Sequence, residues 1–105
     1  MQITMTNENQ YNLEQRTLKF AQNTKLFIRS VPKTLTNNEY CTQLTRSSSS
    51  PGANYFEANE STSKKEFLYK IRTCLKEIKE TRYWLKLIDA PKEQKKMSYF
   101  KKPPN

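Results

Sequence analysis

The chain has 105 residues, which is enough for one small domain with one modest core. It carries 19 Lys and Arg against 10 Asp and Glu, a formal net charge of +9, together with one glycine and no histidine. Histidine is the commonest general base and metal ligand, and nucleotide-binding loops need several glycines to cradle phosphates, so this composition argues against most classes of enzyme.

The N-terminal segment and the cysteines bear on the solubility and the cellular location of the protein. Residues 1–10 are polar, with no basic segment followed by an apolar run, and nowhere do 18 apolar residues follow one another. We therefore expect a soluble, cytoplasmic protein with no membrane partner. Cys41 and Cys74 are expected to be reduced thiols rather than a disulfide, because both fall on the apolar faces of the helices described next.

The first predicted helix covers residues 13–31. Asn12 and Gln15 have the spacing of a reciprocal N-terminal cap, and Pro32 ends the helix because proline disfavours helical geometry in the residue before it. Alternating steps of four and three residues predict one buried seam, formed by Leu13, Thr17, Phe20, Thr24, Phe27 and Val31.

The second predicted helix covers residues 37–58 and opens on a capping box, Thr36 to Glu39. Its seam has the same alternating spacing and consists of Cys41, Leu44, Ser48, Pro51, Tyr55 and Ala58. Residues 47–52 (SSSSPG) nevertheless have the composition of a turn. The residues by themselves leave two interpretations open, a flexible joint and a kinked helix whose small side chains let a neighbouring backbone approach closely.

The third predicted helix covers residues 64–89 and opens on a second capping box, Ser63 to Glu66. Leu68 and Leu75 widen its seam on one flank, and Lys76 with Glu80 has the spacing of an ion pair along the helix. The seam itself is unbroken and consists of Phe67, Ile71, Cys74, Ile78, Thr81, Leu85 and Ile88.

After residue 90 the character of the sequence changes. Residues 91–105 hold five lysines, one glutamate and three prolines, and their large apolar side chains are Met97, Tyr99 and Phe100. Such a composition suits a basic tail better than a further packed element. We therefore divide the chain into a helical domain over residues 1–90 and a basic C-terminal tail over residues 91–105.

The outer surface of the third helix is predicted to carry cations with tyrosines between them. When the seam occupies heptad positions a and d, positions b and f hold Lys65, Tyr69, Arg72, Lys76, Lys79, Tyr83 and Lys86. Such a surface can follow phosphates while its rings stack on unpaired bases, so these seven residues are our candidate nucleic-acid-binding site. Residues 64–105 carry a net charge of +8 and residues 1–63 only +1, a one-sided field that attracts polyanions. The alternative is an ordinary solvated helix face.

Four further residues are assigned to helix packing or to contacts between subunits. Trp84 lies beside the seam, where aromatic side chains commonly fill contacts between helices. Arg82 is expected to pair with a carboxylate across a helix interface, with Glu57 as one candidate. Tyr55 and Glu57 are expected to have a structural role near residues 47–52. No metal, cofactor or catalytic residue is assigned.

Several segments, in their order and spacing, resemble the bacterial four-helix bundle protein family, also called the ribosomal RNA intervening-sequence protein family. They are residues 13–17 (LEQRT), 20–21 (FA), 43–48 (QLTRSS), 52–55 (GANY), 57–58 (EA), 63–67 (SKKEF), 76–77 (KE) and 80–85 (ETRYWL). The resemblance covers about residues 12–88, and it implies that the serine stretch lies inside the second helix.

The resemblance implies an all-α, antiparallel up-and-down helical bundle that commonly assembles as a ring-like homopentamer, without enzymatic activity. It also implies similarity to the accessory variability protein of diversity-generating retroelements, which binds nucleic acid and a reverse transcriptase through basic surfaces. This chain departs from the family pattern after residue 90, where the apolar seam of a fourth helix is absent. That helix is then truncated or frame-shifted, replaced by the basic tail, or its place is covered by another protomer.

These observations predict a non-enzymatic homo-oligomer that is associated with RNA or another polyanion and takes no small-molecule substrate. The alternative is a structural or protein-interaction module whose basic face binds an acidic protein.

Overall fold

The computed structural model describes residues 7–91, and the side chains of residues 12–91. Three helices make up its secondary structure: α1 (Asn7–Ser30), α2 (Leu35–Asn59) and α3 (Lys64–Leu87). None of these helices is long and apolar enough to cross a membrane. Within the described range no strand is formed, so the all-α prediction with three clear helices is confirmed. The predicted tail and the question of a fourth helix fall outside that range, apart from Pro91.

The start of α1 differs from the prediction. The helix begins at Asn7 rather than at residue 13, so Asn12 lies inside it and the predicted cap by Asn12 and Gln15 is wrong. The spacing of apolar residues predicts only the part of a helix that packs against its neighbours. A first turn made of polar residues is therefore not predicted from that spacing. The end agrees within one residue, at Ser30, just before Pro32.

α2 also begins earlier than predicted, because Thr34 rather than Thr36 caps it. The Thr34 hydroxyl oxygen accepts a hydrogen bond from the backbone N–H of Asn37 at 3.1 Å, and Thr34 has the extended backbone of a cap residue. The predicted capping box from Thr36 to Glu39 is therefore wrong, and it lies within the first turns of the helix.

The serine stretch of α2 is helical throughout, with Pro51 inside the helix, so the flexible-joint interpretation is wrong and the helical one is confirmed. Ser49 and Ser50 donate their hydroxyls to backbone carbonyls one turn earlier, at 2.9 and 2.8 Å, which satisfies them within the helix. Ser47 and Ser48 are buried. Small side chains at buried positions allow neighbouring helices to approach one another closely.

α3 begins as predicted. The Ser63 hydroxyl oxygen accepts a hydrogen bond from the backbone N–H of Glu66 at 3.1 Å, the main contact of the predicted capping box. The helix ends at Leu87, two residues before the predicted end. The backbone N–H of Ile88 closes the last turn by donating to the Trp84 carbonyl at 3.2 Å.

α2 and α3 run antiparallel, since the start of each helix meets the end of the other. The Asn37 side chain near the start of α2 bonds to the backbone of Asp89 just after α3. At the opposite end, Lys70 near the start of α3 lies 3.3 Å from the Glu57 carboxylate near the end of α2. This register decides which α3 side chains face α2 and which face outward.

The core lies where the predicted seams of the three helices meet. Its central cluster consists of Phe27, Val31, Leu44, Leu85 and Ile88. α1 is antiparallel to α2 as well: its last residues share this cluster with Leu44, while Thr17, earlier in α1, lies beside Gly52 further along α2. All five cluster residues except Leu44 come from the last turn of a helix or just beyond it, so this cluster lies towards one end of the molecule.

Hydroxyl side chains fill much of the remaining interior. Thr81 of α3 donates to the Ser47 hydroxyl of α2 at 2.8 Å, and both residues are fully buried. Thr24 of α1 is fully buried too, and it donates to the Phe20 carbonyl at 2.9 Å. Because their hydroxyls are hydrogen-bonded, these small residues occupy core positions without an unmet polar group. A chain with few large apolar residues can therefore still pack three helices.

Two apolar side chains on the flank of α3 do not join the core. Leu68 and Leu75, predicted to widen the α3 seam, are 40% and 55% exposed. That prediction is wrong for the single chain. The cysteines, in contrast, are as expected: Cys41 and Cys74 are free thiols, half-buried and buried, and burial raises the pKa of each.

Candidate nucleic-acid interface

All seven residues of the candidate site are exposed on the side of α3 that points away from α2. They are Lys65, Tyr69, Arg72, Lys76, Lys79, Tyr83 and Lys86, and we call them the basic face. The opposite side of α3 faces α2 through Lys70, Cys74, Glu77, Glu80 and Thr81. The register of the two helices therefore leaves the basic face open to a partner.

The basic face is long and continuous. An α-helix rises about 1.5 Å per residue, so the span from Lys65 to Lys86 is about 31 Å. Tyr69 and Tyr83 are 66% and 57% exposed. Both aromatic rings are therefore accessible to a partner from solvent. The surface thus combines cations with exposed rings, the two elements that single-stranded nucleic acids contact.

Tyr83 is held in place by aromatic neighbours. Its ring meets the Trp84 ring edge to face, with centroids 5.2 Å apart and an interplanar angle of 69°. Trp84 in turn stacks on Tyr40 of α2 at 6.1 Å and packs against the core cluster. The indole N–H of Trp84 is buried without a hydrogen-bond partner among the described residues. Trp84 therefore positions Tyr83 rather than presenting its own face to a ligand.

An acidic pair borders the basic face on the α2 side. Arg46 of α2 reaches across and donates to Glu77 at 3.0 Å and to Glu80 at 2.6 Å. The hydrogen bond that Arg46 donates to Glu80 is the largest of the effects that raise the pKa of Arg46, and the nearby Glu77 charge is the next largest of these raising effects. Glu77 is buried and Glu80 half-buried. One cation from α2 thus forms ion pairs with both carboxylates next to the basic face and offsets part of their charge.

Sequence reasoning missed this cluster. It paired Glu80 with Lys76 along the helix, whereas in the structure Glu80 bonds to Arg46, and no ion pair joins Lys76 to Glu80 in the part of the chain that the structure describes. The sequence does place Arg46 beside the α2 seam, two residues after Leu44. A long side chain at such a position can reach a neighbouring helix. Which carboxylate it reaches depends on the register between helices.

The residues assigned to packing are spread over different environments. Tyr55 is buried in α2. Glu57 accepts from Lys70 rather than from Arg82, so the predicted pair of Arg82 with Glu57 is wrong. Arg82 is exposed, and among the described residues it forms no ion pair. These residues do not come together at one site.

A concave surface lies away from the basic face, between α1 and α2. It is a groove of about 370 Å³ lined by Ala21, Gln22, Lys25, Ile28, Arg29, Thr45, Ser48 and Ser49. Its three hydroxyls each donate to a carbonyl of α2, so none is held by a base as an activated nucleophile would be. In the described residues no group of three or more Cys, Asp or Glu side chains is placed to hold a metal ion.

Replacing Arg46 with glutamine is expected to destabilise the fold, because the Glu77 carboxylate would stay buried without its cation. Arg46 is itself half-exposed, so we expect a loss of about 1–3 kcal/mol in the free energy of unfolding at pH 7, measured by chemical denaturation.

The double variant Arg46→Gln/Glu77→Gln is the matched control for this prediction. Removing both charges leaves no buried carboxylate, so this variant should be more stable at pH 7 than Arg46→Gln alone. If the two variants are equally stable at pH 7, Arg46 contributes through a contact other than the one with Glu77.

A comparison with protein-family models gave one finding that bears on this surface. The model described as 23S rRNA-intervening sequence protein matches residues 9–99. The match includes all three helices except the first two residues of α1, and it includes the whole basic face. No curated protein and no solved structure matches the chain.

Proposed function

Since the chain belongs to the 23S rRNA-intervening sequence protein family, we propose that it is a non-enzymatic, cytoplasmic accessory protein that binds RNA through the basic face of α3. The observation that carries the proposal is the exposure of all seven residues of that face along about 31 Å of one helix. Five cations in such an array contact successive phosphates and release counterions on binding.

The charge distribution supports the same surface. The face lies within residues 64–105, which carry a net charge of +8, and Arg46 forms ion pairs with Glu77 and Glu80 beside the face. An RNA strand approaching from solvent therefore meets a surface on which positive charge is in excess. The family description favours RNA over an acidic protein as the polyanion, and we assign the protein no catalytic role.

We further propose that the protein works as a homo-oligomer, with a pentameric ring as the expected form by resemblance. Leu68 and Leu75 on α3 and Leu18 and Leu26 on α1 are 40–60% exposed, an apolar surface that a lone three-helix chain leaves in water. A further helix or another protomer would cover it and complete an up-and-down bundle. A ring would also repeat the basic face and multiply weak contacts along one RNA.

Light scattering followed by fluorescence anisotropy tests the proposal. We expect an oligomer in light scattering, and binding of labelled structured and single-stranded RNA with a Kd below about 10 μM that weakens steeply between two salt concentrations. An intact oligomer that binds neither RNA in a salt-sensitive way would contradict the RNA role. Binding of an acidic protein alone would favour the interaction-module alternative, and a monomer would contradict the proposed assembly.

A further inference from the structure

The two tyrosines of the basic face lie in the same local sequence, repeated once along α3. Residues 65–72 read KEFLYKIR and residues 79–86 read KETRYWLK, so both segments follow the pattern K-E-x-x-Y-x-x-[RK]. In each copy the tyrosine has a cation four residues before it, a cation three residues after it and a glutamate three residues before it. On a helix all three are surface neighbours of the ring.

The repeat places cations on one side of each tyrosine and a glutamate on the other. The cations form one row, Lys65, Arg72, Lys79 and Lys86, and the tyrosines lie in the adjacent row with Lys76 between them. The glutamates of the repeat, Glu66 and Glu80, lie on the other side of the tyrosine row from the cations, and Glu80 is paired with Arg46 of α2. Phosphates are attracted to the cation row and repelled by the glutamates, so a bound strand runs along the cations with its bases turned towards the rings.

This geometry separates unpaired from paired nucleic acid. A ring that is 57–66% exposed can stack only on a base whose face is free, whereas the base faces of a duplex are covered by their neighbours. The Tyr83 ring is already fixed by Trp84, with centroids 5.2 Å apart, so little of its freedom is lost when a base stacks on it.

We propose that α3 carries two sites for unpaired RNA bases with the same local sequence, one on Tyr69 and one on Tyr83, each flanked by two phosphate-binding cations. The proposal rests on the RNA role proposed above. The two tyrosines are 14 residues apart in sequence, or about 21 Å along the helix. A stacked strand advances about 3.4 Å per nucleotide, so the two sites are spanned by about six stacked nucleotides, and by fewer in an extended strand.

Anisotropy with labelled RNAs tests the proposal on the intact protein. The probes are an unpaired adenosine decamer, an adenosine tetramer and a blunt duplex. We expect the decamer to bind more tightly than the tetramer, which reaches only one site, and more tightly than the duplex. The variant Tyr69→Ala/Tyr83→Ala should lose at least about tenfold in affinity for the decamer, with an unchanged salt dependence, and keep its affinity for the duplex.

Two control variants make the test specific. Tyr69→Phe/Tyr83→Phe keeps the rings and should keep the preference for the decamer, and Phe56→Ala removes a ring of α2 that is 59% exposed and lies off the basic face. A decamer containing 2-aminopurine should lose fluorescence on stacking with the parent protein and not with the double alanine variant. If that variant binds the decamer as tightly as the parent, the inference is wrong while the RNA role stands; if the parent binds no RNA, both are wrong.

Discussion

Reversing the charge of three cations in the middle of the basic face, by Arg72→Glu, Lys76→Glu and Lys79→Glu, is expected to weaken RNA binding strongly and to leave the helices intact. The three side chains are exposed, so their replacement removes no core contact. Each phosphate contact contributes about 0.7 to the slope of log affinity against log salt for a single strand, so losing three should lower that slope by about 2. Anisotropy at several salt concentrations measures the slope, and circular dichroism checks the helical content.

Three cations of α1 give a control with the same change in charge. Lys19→Glu, Lys25→Glu and Arg29→Glu also replace two lysines and one arginine, and these residues are exposed and lie off the basic face. We expect this variant to bind RNA with a reduced on-rate but with most of its affinity, since only the long-range field is weakened. If both variants lose binding equally, total charge rather than the basic face governs the interaction. If the basic-face variant is folded and binds RNA as tightly as the parent, the basic face does not bind RNA.

The buried seams could be predicted because burial along a helix depends mainly on spacing around its axis. Leu44, Tyr55 and Ala58 of α2 and Leu85 of α3 were all predicted from alternating steps of three and four residues, and each is buried. The same periodicity placed the basic face outward, since positions opposite a seam face solvent. For the serine stretch the periodicity proved a better guide than composition, because Ser48 and Pro51 keep the seam spacing and are buried.

Contacts that depend on the register between helices could not be predicted in this way. Arg46 meets Glu77 and Glu80 across more than 30 positions of sequence, and nothing local distinguishes these carboxylates from Glu57. The outer surface of the candidate site was therefore predictable, whereas its acidic border was not. Asn37 is the clearest case: it lies inside the predicted capping box from Thr36 to Glu39, but its side chain joins distant parts of the chain.

Asn37 ties the loop before α2 to the segment after α3. Its side-chain nitrogen donates to the Pro32 carbonyl at 3.0 Å and to the Asp89 carbonyl at 3.1 Å. Its side-chain oxygen accepts from the Asp89 N–H at 3.0 Å. The residue is 1% exposed and lies at the same end of the molecule as the core cluster. One amide thus closes the α2–α3 pair where large apolar residues are concentrated.

Asn37→Ala is accordingly expected to be the most destabilising single substitution proposed for this chain. It removes three hydrogen bonds and takes from the Asp89 N–H and carbonyl their Asn37 partner, whereas the Pro32 carbonyl keeps the hydrogen bond from the Thr34 N–H at 3.1 Å. Each backbone group that is left unpaired and that water does not reach costs about 1–3 kcal/mol. We expect a loss of about 2–4 kcal/mol in unfolding free energy, measured by denaturation at one fixed protein concentration because oligomerisation is linked to stability. Asn38→Ala is the matched control: its side chain is exposed, so it should change stability by about 0.5 kcal/mol or less. Equal effects of the two substitutions would mean that the Asn37 amide does not hold α3 to α2, and that the packing of Leu85 and Ile88 suffices to close that end.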